Sequence, residues 1–159
     1  MQKIYIRPVD ALYFDRPNVS LFVNSVYNNF IDLSKYPELK HTKQDIYKLL
    51  KSENMRGYIV RQDNKLLGYL IGEIMILADG RKVFYISYIY IAASFRKKHI
   101  GSKLLEMVIK TSRSLKFDGV LLTCDTENIP VYDFYQKRGF MPDLVLRKYA
   151  RHDVLYLQV

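Results

Sequence analysis

The apolar positions of this chain change period several times, and each change marks an element. Residues 2–9 alternate Ile4 and Ile6 with polar neighbours and then meet Pro8, which predicts a short strand. From Pro17 and Asn18 the spacing becomes helical, with Val19, Phe22, Val23, Val26, Tyr27 and Phe30 on one face. Residues 31–41 hold Pro37 and many polar groups and predict a loop. Thr42 followed by Asp45 has the form of a capping box ahead of a short helix through Leu50.

The middle of the chain reads as extended. Strands are expected at 57–61, 66–77 and 82–91, joined by a turn at 63–65 and an Asp-Gly hairpin turn at 78–81. The helical period returns with Ile100, Leu104, Leu105, Met107, Val108 and Thr111. Gly119–Cys124 is almost wholly apolar, as suits a strand buried on both faces. Asn128 can cap a helix, Pro130 fits its first turn, and Gly139 ends it. Residues 140–148 and 153–159 are expected to close the chain as a last pair of strands. The strand–helix–strand run 82–124 requires a right-handed crossover between parallel neighbours. The class is therefore α/β or α+β with a mixed sheet. The absence of repeats and long linkers predicts one domain over residues 1–159.

Composition narrows the function classes. Half the chain is hydrophobic (49%), which supplies a core, yet no apolar run nears the roughly twenty residues of a membrane span. The N-terminus lacks the apolar stretch of a signal peptide. The single cysteine, Cys124, precludes an internal disulfide framework, and three His make a metal site unexpected. A cytoplasmic, reducing location is the expectation. The net charge of +9 favours an anionic partner: a nucleotide-bearing cofactor, a nucleic acid or an acidic surface.

The segment from Phe95 to Lys103 joins an expected strand end to an expected helix start. Free N–H groups and partial positive charge at a helix N-terminus bind anions. Gly101 allows close approach of a ligand, and Arg96, Lys97, Lys98 and Lys103 add charge suited to a phosphate or pyrophosphate.

This run resembles motif A of the GNAT superfamily, Q/R-x-x-G-x-G/A, with Arg96 at the first position and Gly101 at the second glycine. His99 stands where the pattern has its first glycine. That departure matters if the backbone turns left-handed there, and does not if only an N–H is needed. Residues 128–140 resemble motif B, N-x-x-A-x-x-x-Y-x-K-x-G-F: Asn128, Tyr135, Lys137, Gly139 and Phe140 match, and Val131 replaces Ala. The resemblance implies a GNAT-like, mostly antiparallel sheet of six to seven strands flanked by about four helices. It implies an N-acetyltransferase using acetyl-CoA (or CoA as product) as co-substrate, with transfer to a primary amine by direct attack through a tetrahedral intermediate.

The same resemblance assigns roles. Tyr135 is the expected acid for the leaving thiolate, in preference to Tyr132 one turn earlier. Ile89, Tyr90 and Ile91 would pair their backbone with the pantetheine arm, as in strand addition. Arg96, Lys97, Lys98, His99, Ile100, Gly101 and Ser102 would hold the phosphates, and Asn128 would contact the cofactor. The general base stays open. Relatives carry Glu or Asp where this chain has Ser87 and Tyr88, or Glu where it has Thr123, leaving Glu73, Asp125, Glu127 or a water chain through Ser87 or Tyr88. Asp125 and Glu127 are expected to serve the helix start at Asn128. Cys124 as a covalent acetyl carrier is disfavoured, since no His lies near it in sequence.

The acceptor is expected to be a small or peptide amine, met by loop 31–41 and the last strands. Residues 146–157 loosely resemble the closing hairpin of protein N-terminal acetyltransferases, with Tyr149 as the peptide-holding match. Two other readings stand beside this one: a catalytically silent CoA-binding module, and a basic nucleic-acid-binding domain. Monomer and homodimer are both open.

Overall fold

A computed structural model describes residues 3–146 and 151–159. Among the described residues seven strands hydrogen-bond in the order β1-β2-β3-β4-β5-β7-β6, and four α-helices accompany them. The chain divides into two compact units, one of residues up to Glu73 with Tyr88–Gly101, the other of Ile74–Ser87 with the described residues from Ser102 onward.

In the first unit, β1 (Ile4–Asp10), β2 (Met55–Gln62) and β3 (Lys65–Ile76) form antiparallel ladders, with β3 continuing past Glu73. Pro8 does not end β1. It pairs opposite Tyr58, which an edge strand tolerates because an edge can spare one N–H. Helix α1 (Arg16–Asn29) begins one residue ahead of Pro17, because Asp15 caps it by accepting the Asn18 N–H at 3.0 Å. The expected loop 31–41 contains two short 3-10 turns, Ile31–Lys35 and Pro37–Leu39. Helix α2 (Lys43–Leu50) is capped by Thr42, whose hydroxyl oxygen accepts the Asp45 N–H. The α1 stripe packs with Phe14, Ile46, Leu50, Met55, Ile59, Tyr69, Ile71 and Tyr88. Each such buried side chain contributes about 2 kcal/mol of transfer free energy.

In the second unit, β5 (Gly119–Asp125) pairs in parallel with β4 (Lys82–Ile91) from Val83↔Gly119 to Ile86↔Leu122, as the crossover requires. Its other edge runs antiparallel to β7 (His152–Gln158). Burial of Gly119–Leu122 and Cys124 matches a strand covered on both faces. Helix α3 (Ile100–Ser114) buries Leu104, Leu105, Val108 and Ser112. Thr111, expected on that stripe, is exposed, because Ser112 lies four residues after Val108 and completes the row. Helix α4 (Ile129–Gln136) ends where Gly139 takes φ +95° and the Phe140 N–H reaches back to the Tyr135 carbonyl.

Of the expected strand 140–148, residues 147 and 148 lie outside the described residues, and within 140–146 only β6, Met141–Pro142, is a strand. Asp143 is the cause. Its carboxylate accepts two guanidinium bonds from Arg81, at 2.8 and 3.1 Å, and the Leu146 N–H at 2.8 Å, which bends the chain out of the ladder. Tyr149 lies outside the described residues. Among the described residues no helix is long and apolar enough to cross a membrane, and no His, Cys, Asp or Glu cluster is placed to hold a metal.

Candidate active site

The segment expected to hold the phosphates is built at the end of β4. Past Ile91 the chain makes a 3-10 turn (Ala93–Phe95), then runs through Arg96–His99 into α3. Lys97 and His99 both take left-handed backbone angles, φ +64° and +61°. The position where the family pattern has glycine is therefore one that glycine favours, and His99 occupies it at a local cost of about 1 kcal/mol. Turns that alternate left-handed with right-handed residues are those in which backbone N–H groups can form an anion nest, and Lys97 and His99 supply two such left-handed positions.

The side chains fit the same purpose. Lys97, Lys98, His99 and Lys103 are exposed, while Ile100 is buried and anchors the first turn of α3. A Cβ added at Gly101 would meet only the Ile91 side chain, at 3.9 Å, so its backbone stands clear for a ligand. Arg96 has a structural task as well. Its Nε donates to the Ile91 carbonyl at 2.8 Å, and its guanidinium lies 5.8 Å from the Tyr90 ring centroid. The Ile91 carbonyl is thus already engaged at the strand end. Ladder pairing of β4 with β5 runs only to Ile86, so Ile89, Tyr90 and Ile91 lie beyond its last pair. These residues and Arg96–Gly101 belong to the first unit.

Ser102, Asn128 and Tyr135 belong to the second unit. Ser102 receives a hydrogen bond from Arg138, which also lies over the Phe134 ring. Asn128 is the cap of α4, accepting the Val131 N–H at 3.5 Å. Tyr135 is buried, with Phe134 and Phe140 packed edge-on against it at 5.2 and 5.6 Å, whereas Tyr132 is half-buried. Burial, with a smaller push from Cys124 and a pull from Arg138, raises the Tyr135 phenol well above its usual range. It stays protonated at neutral pH. Burial likewise pushes the Cys124 thiol up to about 11, which leaves it a poor nucleophile.

Two of the carboxylates left open as general base are committed elsewhere. Asp125 does not cap α4. It accepts the Glu127 N–H at 2.9 Å and holds Arg151 at 2.8–3.0 Å, and that guanidinium keeps its carboxyl below the usual range. Glu127 pairs with the same Arg151 at 2.9 Å. Both are committed to one ion-pair cluster. Thr123 is also occupied, its hydroxyl 2.8 Å from that of Tyr85. Glu73 is half-buried on β3 opposite Met55.

One residue escaped the sequence reading. His41, just ahead of the Thr42 cap, is buried at 2% exposure. Its Nδ1 lies 2.8 Å from the Tyr88 hydroxyl and its Nε2 lies 3.3 Å from the Tyr27 carbonyl, with the Tyr27 ring stacked on it at 5.2 Å. Burial lowers its pKa from the ordinary 6.5, against a smaller opposing effect of the Tyr27 hydrogen bond. The only hint in the sequence was a histidine beside an aromatic-rich helix face.

The pattern of the acetyltransferase (GNAT) family matches residues 23–140, more than half the chain, and the chain belongs to that family. It is an N-acetyltransferase, and acetyl-CoA is the co-substrate of this class. Streptothricin acetyltransferase A of Bacillus subtilis (strain 168) is 27% identical over 143 residues, covering 80% of this chain and 78% of that protein. Among solved structures, Arabidopsis thaliana NAA60 in complex with acetyl-CoA superposes with a TM-score of 0.73 at 14% identity, covering 99% of both chains. An aminoglycoside acetyltransferase from an uncultured soil metagenomic sample gives 0.66 at 16% identity, covering 92% of this chain and 95% of that one.

Proposed function

We propose that the chain, as one acetyltransferase domain over residues 1–159, passes the acetyl group of acetyl-CoA directly to a primary amine. The observation that carries this reading is the pair of left-handed residues, Lys97 and His99, ahead of α3, with exposed cations around them and open space at Gly101. Arg96 to Ser102 would take the phosphates, and the backbone of Ile89, Tyr90 and Ile91 the pantetheine amides. Asn128, already the α4 cap, would add a contact to the cofactor.

Acyl transfer needs a neutral amine, a stabilised oxyanion and a proton for the departing sulfur. The amine nitrogen bonds to the thioester carbon, the carbonyl electrons move to oxygen, and a strand N–H at 89–91 holds that charge. As the tetrahedral intermediate collapses, the C–S bond breaks and Tyr135 donates its proton to sulfur. Burial keeps the phenol protonated but weakens it as an acid, and the role stands because the same dry surroundings also raise the basicity of a departing thiolate.

The acceptor is read as a primary amine. A peptide amine and streptothricin are the two candidates to set against each other, the second supported by the 27% identical relative. A cytoplasmic setting is supported by the buried free thiol of Cys124. The test is thiol release from acetyl-CoA with streptothricin, an aminoglycoside and peptides bearing a free N-terminus. With the accepted amine, Tyr135→Phe is expected to lower kcat by about 100-fold while acetyl-CoA still binds. Unchanged turnover would remove Tyr135 from the chemistry.

A further inference from the structure

Asp125 and Glu127 are tied to Arg151 and Thr123 to Tyr85, and the first unit holds, besides Glu73, a second arrangement that can take the amine's proton. The Tyr27 carbonyl can only accept a hydrogen bond, so the His41 Nε2 facing it at 3.3 Å carries the ring proton. In a neutral imidazole this makes Nδ1 an acceptor, and the group facing it is the Tyr88 hydroxyl at 2.8 Å. The Tyr88 O–H therefore donates to His41, and a phenol oxygen that donates its proton keeps acceptor capacity of its own. Tyr88 stands on β4 immediately before Ile89–Ile91, two residues past the last pair with β5.

We propose that His41 is a positioning residue for the acceptor end of the site: it fixes the Tyr88 hydroxyl and takes its proton as Tyr88 takes one from the attacking amine. This rests on the acetyl-transfer reading above. The proton balance closes. As the C–N bond forms, the nitrogen becomes a strongly acidic ammonium; its proton passes to Tyr88 Oη, and the Tyr88 proton passes to His41 Nδ1. A base of lowered pKa suffices, because that ammonium is far more acidic than a free alkylammonium ion. Neutral imidazole is the working form, and its burial favours that form at neutral pH.

The surroundings hold the pair in register. The Tyr27 ring stacks on His41, and Phe30 packs on Tyr88 at 5.1 Å. The titratable and charged groups around the pair include Tyr27 of α1, Lys43 of α2 (5.4 Å above the Tyr27 ring), Tyr69 of β3 and, against the Tyr69 ring, Tyr90 of β4. Among these residue types and the pair itself, only an imidazole ordinarily titrates between about pH 5 and 8.

The test uses the intact chain. Asparagine at position 41 can still accept the Tyr88 hydrogen bond but cannot take its proton, so His41→Asn separates anchoring from proton transfer. With the accepted amine at saturation, His41→Asn and Tyr88→Phe are each expected to lower kcat by about 100-fold, with acetyl-CoA affinity and melting temperature kept near wild type. The double variant should be no slower than Tyr88→Phe alone. The wild-type fall in kcat on acidification, centred below pH 6.5, should disappear in His41→Asn. Nitrogen-15 NMR of the wild-type ring, which needs no variant, should show the neutral Nε2–H form at pH 7. A His41→Asn enzyme with wild-type kcat and acid limb overturns the proposal, as does an Nδ1–H or charged ring at pH 7. No turnover of any amine by the wild type would overturn the acetyl-transfer reading itself, and this inference with it.

Discussion

At the scale of single residues, the segment proposed to hold the phosphates takes backbone angles that its side chains do not favour. Lys97 and His99 both sit at positive φ, where a β-carbon crowds the following carbonyl. His99→Gly should remove that crowding and stabilise the fold by up to about 1 kcal/mol, read by urea denaturation. A destabilised variant would mean that the imidazole makes compensating contacts. Charges and a glycine made Arg96–Gly101 legible as a candidate anion site, but the sign of φ at His99 follows from how the turn is closed on both sides. His41 was illegible for a related reason. Its partners Tyr27 and Tyr88 lie 14 and 47 residues away, and no local period links them.

At the scale of elements, regular periods and caps carried most of the reading. The α1 stripe, the Thr42 cap, the strand pair 66–77 and 82–91 and the parallel partner at 119–124 all follow from local pattern. The last strands did not. Residues 140–148 alternate well enough for a strand, yet Asp143 is drawn to Arg81, 62 residues away, and that bond ends β6 after Pro142. Arg81 is held from the other side by Asp79 at 2.9 Å and lies over the Tyr156 ring at 4.5 Å. Asp143→Asn should cost about 2 kcal/mol, the scale of a charged hydrogen bond. The guanidinium keeps the Asp143 carboxyl below its ordinary 3.8 in the folded chain. Its contribution is therefore full above pH 3.8 and lost as the pH falls below that value toward the folded pKa. Thermal melts from pH 7 to 3 should show the variant losing less stability than wild type in that acid window. Parallel curves would place the acid sensitivity elsewhere.

At the scale of the whole molecule, the net charge of +9 now has a reading. A polyanionic co-substrate is drawn to a positive surface, and Lys97, Lys98, His99 and Lys103 are exposed where α3 begins. Family membership fixes the reaction class, while the proposed acceptor end rests on the contact between His41 and Tyr88 and the aromatic side chains packed around it. The most direct test of the cradle is calorimetric titration of acetyl-CoA into wild type and Gly101→Asp. Space at Gly101 admits the new side chain, and its carboxylate would stand where the phosphates are expected. Like charges brought together at close range cost several kcal/mol, so binding to the variant should weaken by about 100-fold or more, with the melting temperature preserved. Equal affinity in the two proteins would contradict the placing of the co-substrate's phosphates at Arg96–Gly101.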